Sequence, residues 1–171
     1  MPINNEPDIH SLVLCANIFI KKGDKYLVLR RSPLKRWAAD VVHPVGGKVD
    51  LNEDPLTAAK REALEETGLA VKNLELEAVI FEVEPVKAEP GNWLIFHFTG
   101  EYDHGEPIQT EEGELIWLTE EQIKGEKLFP SVKAIVDKIF DPAIGPVFAR
   151  FEYLNDRELD PTKMKIAPLD R

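Results

Sequence analysis

The stretch GKVDLNEDPLTAAKREALEETGL, Gly47 to Leu69, carries Glu53, Arg61, Glu62, Glu65, Glu66 and Gly68 at set offsets from Gly47. Its centre reads as one helix, Asp54–Thr67. Asp54 is placed to cap it, Pro55 to take the first helical position, and Gly68 to end it. Leu56, Ala59, Ala63 and Thr67 recur at helical spacing and predict a buried stripe. At about 100° per residue, Glu62, Glu65 and Glu66 fit within an arc of roughly 100°, away from that stripe. Such a helix can rest on a sheet with one side and present carboxylates with another. Like charges so spaced destabilise a bare helix, so something positive is expected among them. A hard divalent cation, which prefers oxygen ligands, meets that need. Arg61 faces neither stripe squarely and is placed to hold a carboxylate in position.

The Gly46-Gly47 pair just ahead allows close backbone approach to a metal or phosphate. Before it, Ser11–Ile20 is a continuous apolar run, Gly23 marks a turn, and Tyr26–Arg30 resumes, a strand–turn–strand signal. Arg31–Trp37 is a basic loop. After the helix, Leu74–Val86, Trp93–Tyr102 and Glu114–Leu118 read as strands, and Glu120–Lys124 and Ser131–Phe140 as helices. One strong helix among strands, with more helix late, predicts an α/β fold: a mixed sheet with helices on both faces. Residues 1–10 are polar and expected to fray. Residues 11–140 are expected as one domain, and the Pro-rich segment 141–171 as an arm on the domain or on a partner.

With 171 residues, 43% of them hydrophobic, the chain can bury one core. Its formal charge of −10 argues against nucleic acid or an anionic membrane as partner, since both need a basic face. Small anionic substrates stay open, because local cations override the global field. The single cysteine, Cys15, excludes an intramolecular disulfide and reads as a small buried hydrophobe. With no apolar run near 18 residues, the protein is expected in the cytoplasm.

The bland reading of the acidic helix is a solvated face. Seven specified residues at about 7% usage each would recur by chance in roughly one chain per million. The spacing Gly47-x5-Glu53-x7-Arg61-Glu62-Ala63-x-Glu65-Glu66-x-Gly68-Leu69 instead resembles the Nudix box. Only Ala63 departs, where a larger aliphatic residue is commoner. Softer similarity to MutT-like members runs through YLVLRR, PVGGKVD and EEGELIWLTEEQI. The resemblance implies an α/β/α sandwich and hydrolysis of a nucleoside diphosphate linked to a group X, with Mg²⁺ or Mn²⁺. It implies Glu65 and Glu66 as metal ligands, Glu62 as ligand or general base, Glu53 as support, and the Gly46 carbonyl as a further ligand. A carboxylate outside the box often joins them; Glu111 or Glu112 is placed for it, Glu111 being favoured.

Arg30, Arg31, Lys35 and Arg36 form the basic cluster near the box, within reach of substrate phosphates or nucleotide edges. Trp37, Trp93, Phe96 and Phe98 offer a stacking wall, and strand alternation puts Phe96 and Phe98 on one face. His43 and His97 receive no role, and Trp117 is assigned to the core. The expected reaction is cleavage of a nucleoside triphosphate, oxidised or not, to monophosphate and pyrophosphate. The asparagine by which MutT-type proteins read guanine has no match; LFPSVKAIV offers Ser131 there. An ADP-ribose or nucleotide-sugar pyrophosphatase is the alternative, since Pro85 lies where some ADP-ribose-cleaving members carry a proline. A non-catalytic nucleotide-binding module is a third reading, disfavoured because every box carboxylate is present. Monomer and homodimer both fit.

Overall fold

The computed structural model describes residues 11–34, 38–86, 91–155 and 157–169. The N-terminal ten residues, and Lys35, Arg36 and Trp37 of the basic loop, lie outside it. In chain order the elements are β1 (Leu12–Lys22), β2 (Lys25–Arg31), β3 (Val42–His43), β4 (Val45–Lys48), α1 (Pro55–Thr67) and β5 (Leu69–Val83). There follow β6 (Asn92–Gly105), β7 (Gly113–Thr119), α2 (Glu120–Gly125), α3 (Pro130–Ile139), β8 (Val147–Asn155), β9 (Glu158–Leu159) and β10 (Lys165–Pro168).

The strands form one mixed sheet in the order β10-β8-β5-β6-β1-β2-β3, with β4 also on β1, β7 on β2 and β9 on β8. β1 pairs parallel with β6 over ten positions and antiparallel with β4 from Cys15 to Ile18. Its continuous apolar run follows from burial on both faces. Ala16, Ile18 and Ile20 join Ala59, Ala63 and Phe98 beneath α1. Cys15 and Phe19 join Val28, Ile80, Ile135 and Phe151 beneath α3. The sheet with helices on both faces is the arrangement the alternation predicts.

Local signals at α1 hold. Asp54 accepts from the amides of Leu56 and Thr57, Pro55 opens the helix, and Gly68 closes it at φ +76°. The buried stripe differs from expectation. Ala58, Ala59, Ala63 and Thr67 form it, while Leu56 is 42% exposed. Small side chains let the helix lie close on the sheet, and the longer Leu56 is left outside the contact. Phe98 and the half-buried Phe96 also belong to this core beneath α1, so neither faces the opposite side of the sheet. Trp117 packs there too, as expected.

β5 starts five residues earlier than Leu74 and carries register shifts along β6. Segment 141–169, expected as an arm, carries β8, β9 and β10. β8 pairs parallel with β5 from Ala78 to Val83, and Val147, Ala149 and Phe151 are fully buried. Alternation of buried and half-buried residues along VFARFEYLN is the strand signal that the prolines around it obscure. Among the described residues no helix is long and apolar enough to cross a membrane.

Candidate active site

β4 brings the glycine pair against the acidic helix. Gly46 lies opposite Asn17 and Gly47 opposite Ala16. At Gly46 (φ +151°) an added Cβ would sit 2.2 Å from the Ala16 carbonyl oxygen, so backbone crowding alone demands glycine. At Gly47 it would sit 2.5 Å from Oε1 of Glu62. The Gly46 amide donates to Oε2 of Glu66 at 3.2 Å. Glu62 and Glu66, one turn apart on α1, thus both abut the same strand of bare backbone.

The positive charge expected among the carboxylates is present in the chain itself. Arg61 donates through Nε and Nη2 to the two oxygens of Glu53 at 3.0 and 2.9 Å. Its Nη1 reaches Glu62 at 2.8 Å and Glu65 at 3.0 Å, and Nη2 also bonds the Lys48 carbonyl. One guanidinium therefore gathers three box carboxylates and ties them to the end of β4. Beside Arg61 the Glu53 carboxyl is held below its usual range. Glu66 stands apart from this clamp. Burial pushes its carboxyl up to about 7; the charges of Glu62 and Glu112 add to the rise, and the Gly46 amide and Arg31 oppose it.

Other predicted residues fall less centrally. Glu65 is 60% exposed. Glu111 is exposed, in a hollow it shares with Arg30, Ser32 and Asp40. Glu112, not Glu111, acts electrostatically on Glu66 and on His43. Arg30 forms an ion pair with Glu126 at 2.8 Å, whereas Arg31 acts on both Glu66 and His43. Lys35 and Arg36 are outside the described residues.

On the α3 side of the sheet lies a cavity of about 230 Å³, walled by Asn17, His43, Glu82, Trp93, His97 and Ser131. Gly46 and Gly47 belong to its wall as well, so one short strand borders both the carboxylates and the cavity. A larger groove of about 710 Å³ beyond Phe129 touches no box residue. Burial drives His43 down to about 4 and His97 to about 3, so both imidazoles are neutral. Glu82, 1% exposed, is raised by burial and accepts from Ser131 and from the Tyr153 hydroxyl, the latter at 2.8 Å. The thiol of Cys15 is pushed up to about 11, which makes it inert.

The sequence reading missed this cavity. Its signal was present as lone polar residues in apolar strands, Asn17 in LVLCANIFI and Glu82 in AVIFEV, because such residues seldom go inside without a partner or a task. Of the proposed stacking wall, Trp93 reaches the cavity, while Phe96 and Phe98 point away.

The NUDIX domain pattern matches residues 10–139. The chain belongs to the Nudix family. It is 27% identical over 145 residues to the Nudix hydrolase YvcI of Bacillus subtilis, itself uncharacterised, covering 84% of this chain and 88% of that protein. The crystal structure of a MutT mutator protein from Bacillus halodurans superposes with a TM-score of 0.78 at 26% identity, over 93% of this chain and all of that one. A Nudix hydrolase from Nitrosomonas europaea shares the fold at a TM-score of 0.66 and 19% identity, over 80% and 93% of the two chains. The chain is accordingly a Nudix hydrolase of the α/β class.

The family generally uses divalent metals, and the residues present can be tested for that. Among the described residues no three acidic, histidine or cysteine side chains converge into a metal cage. Mg²⁺ does not require one: it is commonly held by one or two carboxylates, with waters and substrate phosphates completing its shell. Glu62 and Glu66 could supply that pair. The space a Cβ would fill at Gly47 is kept open beside Glu62, and Glu66 is a buried carboxylate with the like charges of Glu62 and Glu112 near it. The donor set fits a hard cation.

Proposed function

We propose that the chain is a Mg²⁺-dependent pyrophosphohydrolase that cleaves a nucleoside triphosphate to monophosphate and pyrophosphate. The observation that carries this reading is the Gly46–Gly47 strand, shared between the Glu62/Glu66 pair and a cavity of base-sized volume. At about 230 Å³ the cavity is below the range of roughly 300–1,000 Å³ that takes whole drug-sized ligands. It accepts one ring system and leaves the phosphates at the glycines. Pro85 in the same wall is the one feature that favours the second reading, an ADP-ribose-type or nucleotide-sugar substrate.

Glu62 and Glu66 would hold the ion, with Glu65 and the Gly46 carbonyl as further donors. When bound, the metal neutralises phosphate oxygens and makes water a stronger nucleophile. Arg61 fixes Glu62 and Glu53 as a unit, so the carboxylates meet the substrate without reorganising. A carboxylate of this group takes the proton of the attacking water. Glu112 is the better candidate than Glu111 for the carboxylate outside the box, because it acts on Glu66. Among the described residues Arg31 is the cation of the basic cluster that lines the cavity, and it would meet the substrate's phosphates.

The test is a panel of nucleoside triphosphates, ADP-ribose, sugar nucleotides and dinucleoside polyphosphates, with Mg²⁺ or with EDTA, products resolved by chromatography. Release of pyrophosphate from a triphosphate is expected. Binding without turnover of any member would overturn the enzymatic reading, and turnover of ADP-ribose alone would move it to the second. Glu112→Gln should lower the rate well below that of Glu111→Gln; the reverse order would restore Glu111.

A further inference from the structure

His97 is 1% exposed, and neither ring nitrogen has a hydrogen-bond partner. Leaving such a buried group unsatisfied is costly, so its presence in a cavity wall calls for a ligand or water. It stands on β6 in register with Asn17 of β1 and Ala78 of β5, on the face that bears Trp93.

Two of the polar groups around it have settled proton positions. Nδ1 of His43 lies 2.6 Å from the Pro44 carbonyl oxygen, and in a neutral ring this makes Nδ1 the proton donor and Nε2 a bare acceptor. Glu82 accepts from Tyr153 and Ser131, which uses both hydroxyl protons. His97 differs. A neutral imidazole carries one N–H and one lone pair, and the partner of one nitrogen decides which sits where. With no partner at either, both tautomers are open to it.

We propose that His97 is a specificity-determining residue that reads the ring edge of the ligand by changing tautomer, so that the cavity takes oxo- and amino-substituted bases alike. Toward an oxo group it presents N–H; toward an amino group it presents the lone pair. No charge is gained or lost, so burial does not oppose the change. The inference rests on the reading that the cavity takes the base of a nucleotide, and it names what that base must carry: a polar substituent at the edge, of either hydrogen-bonding sense.

The test uses the full chain labelled with ¹⁵N-histidine, with Mg²⁺ present, and three probes: adenosine 5′-monophosphate, inosine 5′-monophosphate and purine riboside 5′-monophosphate, which lacks the 6-substituent. The amino and oxo probes should drive the His97 nitrogens to opposite protonation patterns in the ¹⁵N spectrum. Their affinities should lie within tenfold of each other and roughly tenfold or more above that of the unsubstituted ring. His97→Leu should bring all three to one weak affinity. His97→Gln, whose amide can turn to offer oxygen or N–H, should restore both substituted probes. His97 resonances unmoved by every probe, or wild-type affinities in His97→Leu, would overturn the proposal and assign the ring to a buried water. Should the leucine variant not fold, the wild-type spectra decide. Tautomer changes without any nucleotide hydrolysis would sink the enzymatic reading and leave this one standing; hydrolysis with silent His97 resonances would do the reverse.

Discussion

Gly47→Ala separates the site from the fold. The new Cβ would lie 2.5 Å from Oε1 and 2.7 Å from Cδ of Glu62, both at the free end of a flexible side chain. To reach ordinary contact at 3.4 Å the carboxylate must retreat by about 0.9 Å. A displacement of about 1 Å in a reacting group can cost 10²-fold in rate, so kcat should fall about 100-fold and the Mg²⁺ needed for half-maximal rate should rise. Stability should hardly move. The clash strains no backbone, and the weakened Arg61–Glu62 pair is part-exposed, worth up to about 1 kcal/mol. For a chain of this length that is about 2–4 °C in Tm. Gly46→Ala is the contrast. Its Cβ meets the Ala16 carbonyl oxygen at 2.2 Å and the Asn17 Cα at 2.7 Å, backbone atoms of a central strand that cannot turn aside. Strain and overpacking there should cost about 3 kcal/mol or more. The assay is steady-state hydrolysis across a Mg²⁺ series, with thermal melts of both variants. A Gly47→Ala enzyme within threefold of the wild-type rate, or one destabilised as much as Gly46→Ala, would refute the reasoning that Glu62 works only where the bare backbone lets it sit.

Three further outcomes follow from the same geometry. Glu66→Gln should lose orders of magnitude in rate yet gain in stability at alkaline pH. The folded carboxyl titrates near 7 against 4.5 unfolded, so its stabilising contribution is full below pH 4.5 and is lost as pH rises through 7; melts in EDTA at pH 5 and pH 8 should show the variant's advantage only at pH 8. Arg61→Lys should lower kcat/KM about 10- to 100-fold, because an ammonium cannot reproduce the fork that bonds Glu53, Glu62 and Glu65 together; recovery of wild-type kcat/KM by lysine would show that only charge matters. Tyr153→Phe removes a donor from buried Glu82 and should cost about 1–3 kcal/mol in urea unfolding.

Much of α1 was legible because its signals are short-range. Asp54, Pro55 and Gly68 act within one turn of the helix ends, and the box residues lie within 23 positions. Leu56 was misread because periodicity gives a face but not how closely that face approaches the sheet. Ala58 and Ala59 set that distance, and Leu56 stays outside it. β8 was hidden because turn residues flank it, and its buried alternation gains meaning only once β5 offers it an edge.

What the sequence by itself determined is the family, the α/β class and the acidic helix with its glycine pair, all carried by residues close in the chain. Tertiary structure decided which charges and polar groups find partners. Arg61 rather than an ion alone sits among Glu53, Glu62 and Glu65, Arg30 is drawn to Glu126, and Glu112 rather than Glu111 acts on Glu66. Glu82 is satisfied by Tyr153, 71 positions away, while His97, two strands from β8, is left with both nitrogens unspent. A buried polar group's state depends on what faces it across strands, and that is set by sheet order and register, not by local sequence.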